Sequence, residues 1–140
     1  MFTSEKRAKR TVMAALKDYA PMALENEATR GAADIICSLG CLEIKRLKAW
    51  PKHADAVVRV PHWTPQQKAW HSIQSRAGMS TFVLVFCEED VLLLEGVDAV
   101  RCLGYVCKAR LLSVAVAFWT DVSWKFDLAK VMHVRPLEGI

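Results

Sequence analysis

The chain has 140 residues, of which 53% are apolar and 24% charged, a composition typical of one folded domain and unlike that of a long disordered segment. Its 19 Lys and Arg residues outnumber 15 Asp and Glu residues, for a net charge of +4, which permits nucleic-acid binding without requiring it. No uncharged stretch approaches the roughly 20 residues needed to cross a bilayer, and the basic N-terminus lacks a signal-peptide pattern. We therefore expect no membrane partner and a cytoplasmic location.

The first half of the chain predicts one helix followed by a β-hairpin. Apolar residues recur every three or four positions over residues 4–19, with Lys and Arg between them, which is typical of an amphipathic helix. A loop or short helical turn is expected from there to about residue 27. Residues 32–37 and 41–47 are short strand-like runs joined by a connection that ends in Gly40, and this arrangement predicts a hairpin.

A second helix and a second strand pair follow. Thr64 and the proline after it mark the cap and first position of a helix that runs to about residue 77. The unbroken apolar run at residues 82–86 predicts a strand covered on both faces. Residues 91–94 are expected to pair with it through an acidic turn. We therefore predict an α/β fold in which a mixed central β-sheet is flanked by helices.

Beyond Gly96 the pattern weakens. Residues 97–107 could form a helix. Residues 111–119 and 124–133 could each form either a strand or a helix. We expect residues 1–140 to form a single domain, with a core at about 4–95 and a C-terminal extension at 96–140.

Acidic and basic side chains converge in the predicted hairpin. The two-residue period of a strand places Glu43 and Lys45 on one face, and Asp34 on the neighbouring strand can approach Glu43. The two carboxylates and the backbone carbonyl of Ile44 are oxygen ligands that suit Mg²⁺ or Mn²⁺. The alternative is a surface hairpin on which Glu43 and Lys45 are merely solvated charges.

These residues resemble a known family. Asp34, the hairpin and Glu43-Ile44-Lys45 resemble the motif of the PD-(D/E)XK nuclease superfamily, and the flanking sequences Arg30-Gly31-Ala32-Ala33-Asp34-Ile35 and Thr64-Pro65-Gln66-Gln67 are similar to its VRR-Nuc branch. The resemblance covers roughly residues 4–94. It implies a restriction-endonuclease-like core of α-β-β-β-α-β type. It further implies a metal-dependent DNA endonuclease that is selective for branched substrates such as four-way (Holliday) junctions or flaps, in a phage or a prokaryote.

The same resemblance assigns roles to individual residues. Asp34 and Glu43 would hold Mg²⁺ or Mn²⁺, and Lys45 would stabilise charge on the phosphate. A Gln at the start of the following helix joins the site in this branch, with Gln67 as the match and Gln66 as the second choice. An acidic residue of the first helix often joins as well, and Glu5 occupies that place. The chain departs from the family pattern in having Ala33 where Pro is usual before the Asp, and in a longer segment between the lysine and the glutamine.

Basic residues cluster near the proposed site. Residues 42–76 contain seven Lys or Arg and two acidic residues, a local excess of +5, and such groups bind phosphates without reading sequence. The residues expected to contact DNA are Arg30, Arg46, Lys48, Lys52, Lys6 and Lys9. An ordinary solvated helix face is an equally good explanation for the basic residues near the N-terminus.

Two other classes of function are compatible with the sequence. A non-catalytic nucleic-acid-binding module on the same fold would bind DNA without metal-dependent cleavage. An interaction protein would work through its apolar C-terminal segment and would bind a protein partner but no DNA. Because a nuclease of this size must touch two strands, we also expect a homodimer, and residues 111–119 could form either its interface or part of the core.

Overall fold

A computed structural model describes residues 4–24 and 31–133 of the chain. In chain order its elements are α1 (Glu5–Ala15), a 3₁₀ turn (Lys17–Tyr19), β1 (Met22–Ala23), β2 (Ile35–Cys37), β3 (Gly40–Leu47), α2 (Pro65–Arg76), β4 (Thr81–Cys87), β5 (Asp90–Glu95), α3 (Gly96–Cys102), α4 (Lys108–Val114), β6 (Ala117–Trp119) and α5 (Trp124–His133). No helix in these described residues is long and apolar enough to span a membrane.

The strands form one mixed sheet in the order β1-β2-β3-β4-β5-β6. Neighbouring strands are antiparallel except for β3 and β4, which are parallel. A parallel pair needs a crossover connection, and here the crossover contains α2. The prediction of an α/β fold with a mixed sheet flanked by helices is therefore confirmed.

The predicted hairpin is confirmed, but its first strand is shorter than expected. Ile35 pairs with Leu42 as the last residue pair of the β2–β3 ladder. If the ladder continued, the backbone N–H of Ile44 would bond to β2, whereas it donates instead to the side chain of Asp34 at 2.7 Å. The carboxylate of Asp34 therefore replaces a backbone carbonyl of β2 as the acceptor for this N–H, and the ladder ends here.

The sheet has an apolar core on each face, because side chains alternate along each strand. One core joins alternate residues of β3, β4 and β5 to α1 and α5, and includes Ile44, Leu84, Leu93, Val12, Trp124 and Leu128. The other joins the intervening strand residues to α3 and α4, and includes Val83, Val85, Leu92, Ala99 and Leu111. Glu43 and Lys45 belong to the second face, where α2 covers them.

Several sequence-based boundaries were wrong. The helix expected over residues 4–19 ends at Ala15, and the chain turns at Ala20, which has a left-handed φ of 52°. The segment expected to be a loop or helical turn contains β1, while residues 25–27 lie outside the described part.

The C-terminal segments also differ from their expected bounds. Residues 111–119 divide into the end of α4 and the strand β6, and residues 124–133 form a helix. Leu111 and Trp119 are buried in the two cores, so much of this segment is core. The last β-strand and the last helix are thus built into the same sheet and core as the rest of the described chain.

Candidate active site

A cleft of about 360 Å³ lies at the edge of β3, where the β2–β3 ladder has ended. Its described lining residues are Glu5, Lys6, Lys9, Asp34 and Ile44. The first three come from α1, so the cleft is bounded by a helix on one side and by the open edge of a strand on the other. Three of the five lining residues are among the predicted catalytic or metal-holding residues.

Asp34 and the backbone of Ile44 meet at this strand edge. Oδ2 of Asp34 accepts a hydrogen bond of 2.7 Å from the N–H of Ile44. The N–H and C=O of one strand residue point toward the same edge, so the carbonyl of Ile44 also faces the side on which Asp34 lies. Ile44 is 1% exposed, with its side chain in the core, and this packing fixes the position of the backbone segment.

Glu43 is buried beside Asp34 rather than solvated. The side chains of Glu43 and Lys45 are each 2% exposed, so the alternative of a solvated surface hairpin is wrong. Burial raises the pKa of Glu43 to about 9, with further contributions from the charge of Asp34, from a hydrogen bond between these two side chains and from Glu5. The Glu43 carboxyl is therefore protonated near neutral pH, and its Oε1 atom has no hydrogen-bond partner among the described residues.

Lys45 is held by three neighbours. Its Nζ donates to the carbonyl of His62 at 2.8 Å and to Oε1 of Gln67 at 3.0 Å, and lies 3.6 Å from Oε2 of Glu43. The ring of Trp63 lies 5.7 Å from the same nitrogen. His62 has a left-handed φ of 61°, a conformation that costs a non-glycine residue about 1 kcal/mol and here directs its carbonyl to the lysine.

Gln67 reaches Lys45 because of the way α2 begins. The side chain of Thr64 accepts from the N–H of Gln67, while Gln67 Oε1 accepts from the N–H of Thr64 at 3.1 Å, forming a capping box. Gly31 packs so closely against Gln66 that a Cβ there would overlap the Gln66 backbone. This contact brings the segment before Asp34 onto the start of α2. Gln67, and not Gln66, is the glutamine that meets the lysine.

The donor atoms fit a hard divalent cation. Asp34 and Glu43 supply two carboxyl groups that share a hydrogen bond, and Ile44 supplies a carbonyl on the same side. Mg²⁺ is ordinarily held by one or two carboxylates with several waters, so three protein donors are enough. The described residues contain no cluster of three or more His, Cys, Asp or Glu side chains that could hold a metal; a site here would depend on Ile44 and water.

The predicted DNA-contacting residues are not all at the cleft. Lys6 and Lys9 line it. Lys48 and Lys52 are exposed in the segment after β3, and Arg46 is half-buried on the opposite face of the sheet from Glu43; none of the three is among the described lining residues. Arg30 lies outside the described residues.

One histidine of the site was not predicted from the sequence. His71 is fully buried on α2, and its Nε2 lies 3.7 Å from Oε1 of Glu43. Burial, with the nearby charge of Lys45, lowers the pKa of His71 to about 4, so the imidazole and the protonated Glu43 are both neutral and do not form an ion pair near pH 7. The sequence feature that could have indicated His71 is its position four residues after Gln67, because residues four apart lie on one face of a helix.

Comparisons with known proteins do not assign a family to this chain. No protein-family model matches the chain, and no curated protein matches it at a significant level.

Proposed function

We propose that this protein is a metal-dependent DNA endonuclease of the PD-(D/E)XK type, with a restriction-endonuclease-like core, and that it hydrolyses phosphodiester bonds in branched DNA. The order of its first elements, α1-β1-β2-β3-α2-β4, supports this proposal. So does the position of the Glu43-Ile44-Lys45 triplet on β3, next to β2 and to the parallel strand β4.

The observation that carries the proposal is the convergence of four side chains from three places in the fold, namely the residue before β2, the strand β3 and the start of α2. Asp34 bonds to the backbone of Ile44, Glu43 shares a hydrogen bond with Asp34, and Lys45 lies between Glu43 and Gln67. Burying a carboxyl group and an amine together costs free energy, and groups buried in this way cluster at functional sites. A merely structural role would not explain why the carboxyl groups meet next to an open cleft.

Each side chain has a role that its geometry permits. Asp34, Glu43 and the carbonyl of Ile44 would hold Mg²⁺ or Mn²⁺, which when bound would polarise the phosphodiester and lower the pKa of a water. Lys45 would neutralise charge that develops on the phosphate. Gln67 fixes the direction of the lysine amine, because its Oε1 accepts from that amine and from the backbone of Thr64 at once. Glu5 would orient water from the α1 side of the cleft.

DNA is the substrate that the cleft's charge favours. Lys6 and Lys9 stand on the same wall as Glu5 and would bind phosphates on either side of the one that is cut. A homodimer would place two such clefts on two strands of a junction. Phe118, Val122 and Phe126, close together in sequence around the edge strand β6, are exposed and could form the contact between the two copies.

The test is cleavage of labelled four-way junction, flap, single-stranded and linear duplex DNA with Mg²⁺, Mn²⁺ or EDTA. We expect metal-dependent cutting of the branched substrates, and a loss of at least about 100-fold in Lys45→Met, the usual cost of removing one transition-state contact. Methionine keeps most of the buried volume. Lys17→Met is the matched control, because Lys17 is exposed in the 3₁₀ turn and does not line the cleft.

Two results would contradict the proposal. If the wild-type protein binds a junction but cuts no substrate with either metal, the chain is a non-catalytic binding module. If Lys45→Met cuts as fast as Lys17→Met, the buried lysine has no part in the chemistry.

A further inference from the structure

A buried polar side chain lies beside the proposed metal-holding carboxyl group and has no role in the chemistry above. His71 is 0% exposed, and its Nε2 is 3.7 Å from Glu43 Oε1. Oε1 of Glu43 and both ring nitrogens of His71 have no hydrogen-bond partner among the described residues. Buried polar atoms without partners are rare in folded proteins and each needs an explanation.

The surroundings of the ring restrict its position. Trp63 and Trp70 contact the imidazole with ring centroids 5.6 Å and 5.1 Å away. A Cβ on Gly96 would lie 2.9 Å from His71 Nδ1 and closer still to Oγ1 of Thr81. The absence of a side chain at Gly96 therefore leaves room for the hydroxyl of Thr81 and for Nδ1 of His71 beside each other.

Glu43, His71 and Thr81 thus lie on the face of the sheet that α2 covers, with His71 next to Glu43 and with Gly96 next to both His71 and Thr81. The hydroxyl oxygen of Thr81 is itself buried and has no hydrogen-bond partner in the part of the chain that the structure describes. A neutral imidazole has one N–H donor and one acceptor nitrogen, so a hydroxyl that donates to Nδ1 leaves the proton on Nε2, facing the carboxyl group. An approach of about half an ångström would turn the 3.7 Å separation into a hydrogen bond of ordinary length.

We propose that His71 is a positioning residue whose Nε2–H donates to Oε1 of Glu43 and orients this carboxylate toward the metal, while Thr81 keeps the proton on Nε2. This inference rests on the proposed function, since it gives His71 a role only if Glu43 holds a metal. Carboxylate ligands are commonly held by such outer hydrogen bonds, and removing one typically weakens metal binding 10- to 100-fold.

Mn²⁺ binding to the full chain without DNA tests the role of His71, measured by calorimetry. His71→Gln carries an amide nitrogen near the place of Nε2, whereas His71→Asn carries one nearer the place of Nδ1. We expect His71→Gln to stay within about threefold of the wild-type Kd and His71→Asn to bind at least about 10-fold more weakly. Both replacements are neutral amides, and their Tm values without metal report any difference in folding.

The outcomes separate the two proposals. A wild-type protein that does not bind Mn²⁺ overturns the metal-dependent function, and the role of His71 with it. A wild-type protein that binds Mn²⁺ while His71→Asn binds equally well, or while His71→Gln is as weak as His71→Asn, overturns the role of His71 alone.

The tautomer of His71 gives a second, independent readout in the metal-free protein. Nitrogen-15 NMR of the imidazole should show the proton on Nε2, and Thr81→Val, which keeps the side-chain shape but removes the hydroxyl, should increase the Nδ1–H form. A wild-type ring protonated on Nδ1 would overturn the inference.

Discussion

Among the residues around the cleft, Glu43 is the one whose protonation the fold changes most. Its pKa rises from an ordinary value of 4.5 to about 9 because the side chain is buried next to the charge of Asp34. A group whose pKa is higher in the folded protein stabilises the fold below its unfolded pKa, and that stabilisation is lost as the pH rises through the folded value. The metal-free protein should therefore lose stability between about pH 4.5 and pH 9.

We predict that Glu43→Gln stabilises the metal-free protein in a pH-dependent way. Glutamine has nearly the same shape and cannot ionise, so it avoids the cost that the carboxyl group incurs as the pH rises. Each pH unit between the two pKa values is worth up to about 1.4 kcal/mol. We therefore expect Glu43→Gln to be more stable than wild type by about 3 kcal/mol at pH 7 and nearly equal to it at pH 4.5. Urea denaturation in EDTA at several pH values measures the difference.

The comparison also controls for other titrating groups. His71, whose pKa is lowered to about 4, contributes stability above its unfolded value that is lost as the pH falls toward 4, but it is present in both proteins. Parallel stability curves for the two proteins from pH 5 to pH 8 would show that Glu43 is not buried in its protonated form.

At the scale of the elements, the first turn of α2 combines a structural and a chemical task. The capping box joins Thr64 to Gln67, and the same Gln67 oxygen accepts from Lys45. The helix start is thus fixed by the residue that also directs the lysine. This explains how a threonine outside the cleft can influence the position of Lys45.

We predict that Thr64→Ala lowers the free energy of unfolding by about 1 kcal/mol, the usual cost of losing an N-cap side chain. For a chain of this length the Tm should fall by about 3 °C. Thr64→Ser keeps the hydroxyl that accepts from Gln67 N–H and should keep nearly all of the stability. Thermal unfolding followed by circular dichroism checks both. Equal losses in the two variants would mean that the methyl group, not the cap, stabilises the helix.

The elements with a pattern of their own were predictable from the sequence. The alternation around Glu43-Ile44-Lys45 predicts which side chains share a face of β3, and Thr64-Pro65 predicts the start of α2. The short strands β1 and β6 were not predictable, because two or three residues show no periodicity and pair only through their neighbours in the sheet. The sequence likewise could not show that Glu43 is buried, because α2, far along the chain, covers it.

At the scale of the whole molecule, the basic residues do not form one surface. The excess of +5 in residues 42–76 is distributed over both faces of the sheet, since Lys45 and Arg46 point in opposite directions. Only some of these charges can therefore reach one DNA molecule at the cleft. Lys6 and Lys9, one helical turn apart on α1, are the pair that the fold brings to the cleft.

We predict that replacing both Lys6 and Lys9 by Ala weakens DNA binding and lowers its salt dependence. Each phosphate contact contributes about 0.9 to the slope of log K against log salt, so the double variant should lose about 2 from the slope. Binding is measured in EDTA by fluorescence anisotropy, so that no DNA is cut. The matched control replaces Lys125 and Lys130, which are exposed on α5 and do not line the cleft. If the control lowers the slope and the cleft variant does not, DNA binds to a different surface. Asp34 and Glu43 would then not meet the phosphate backbone of the DNA.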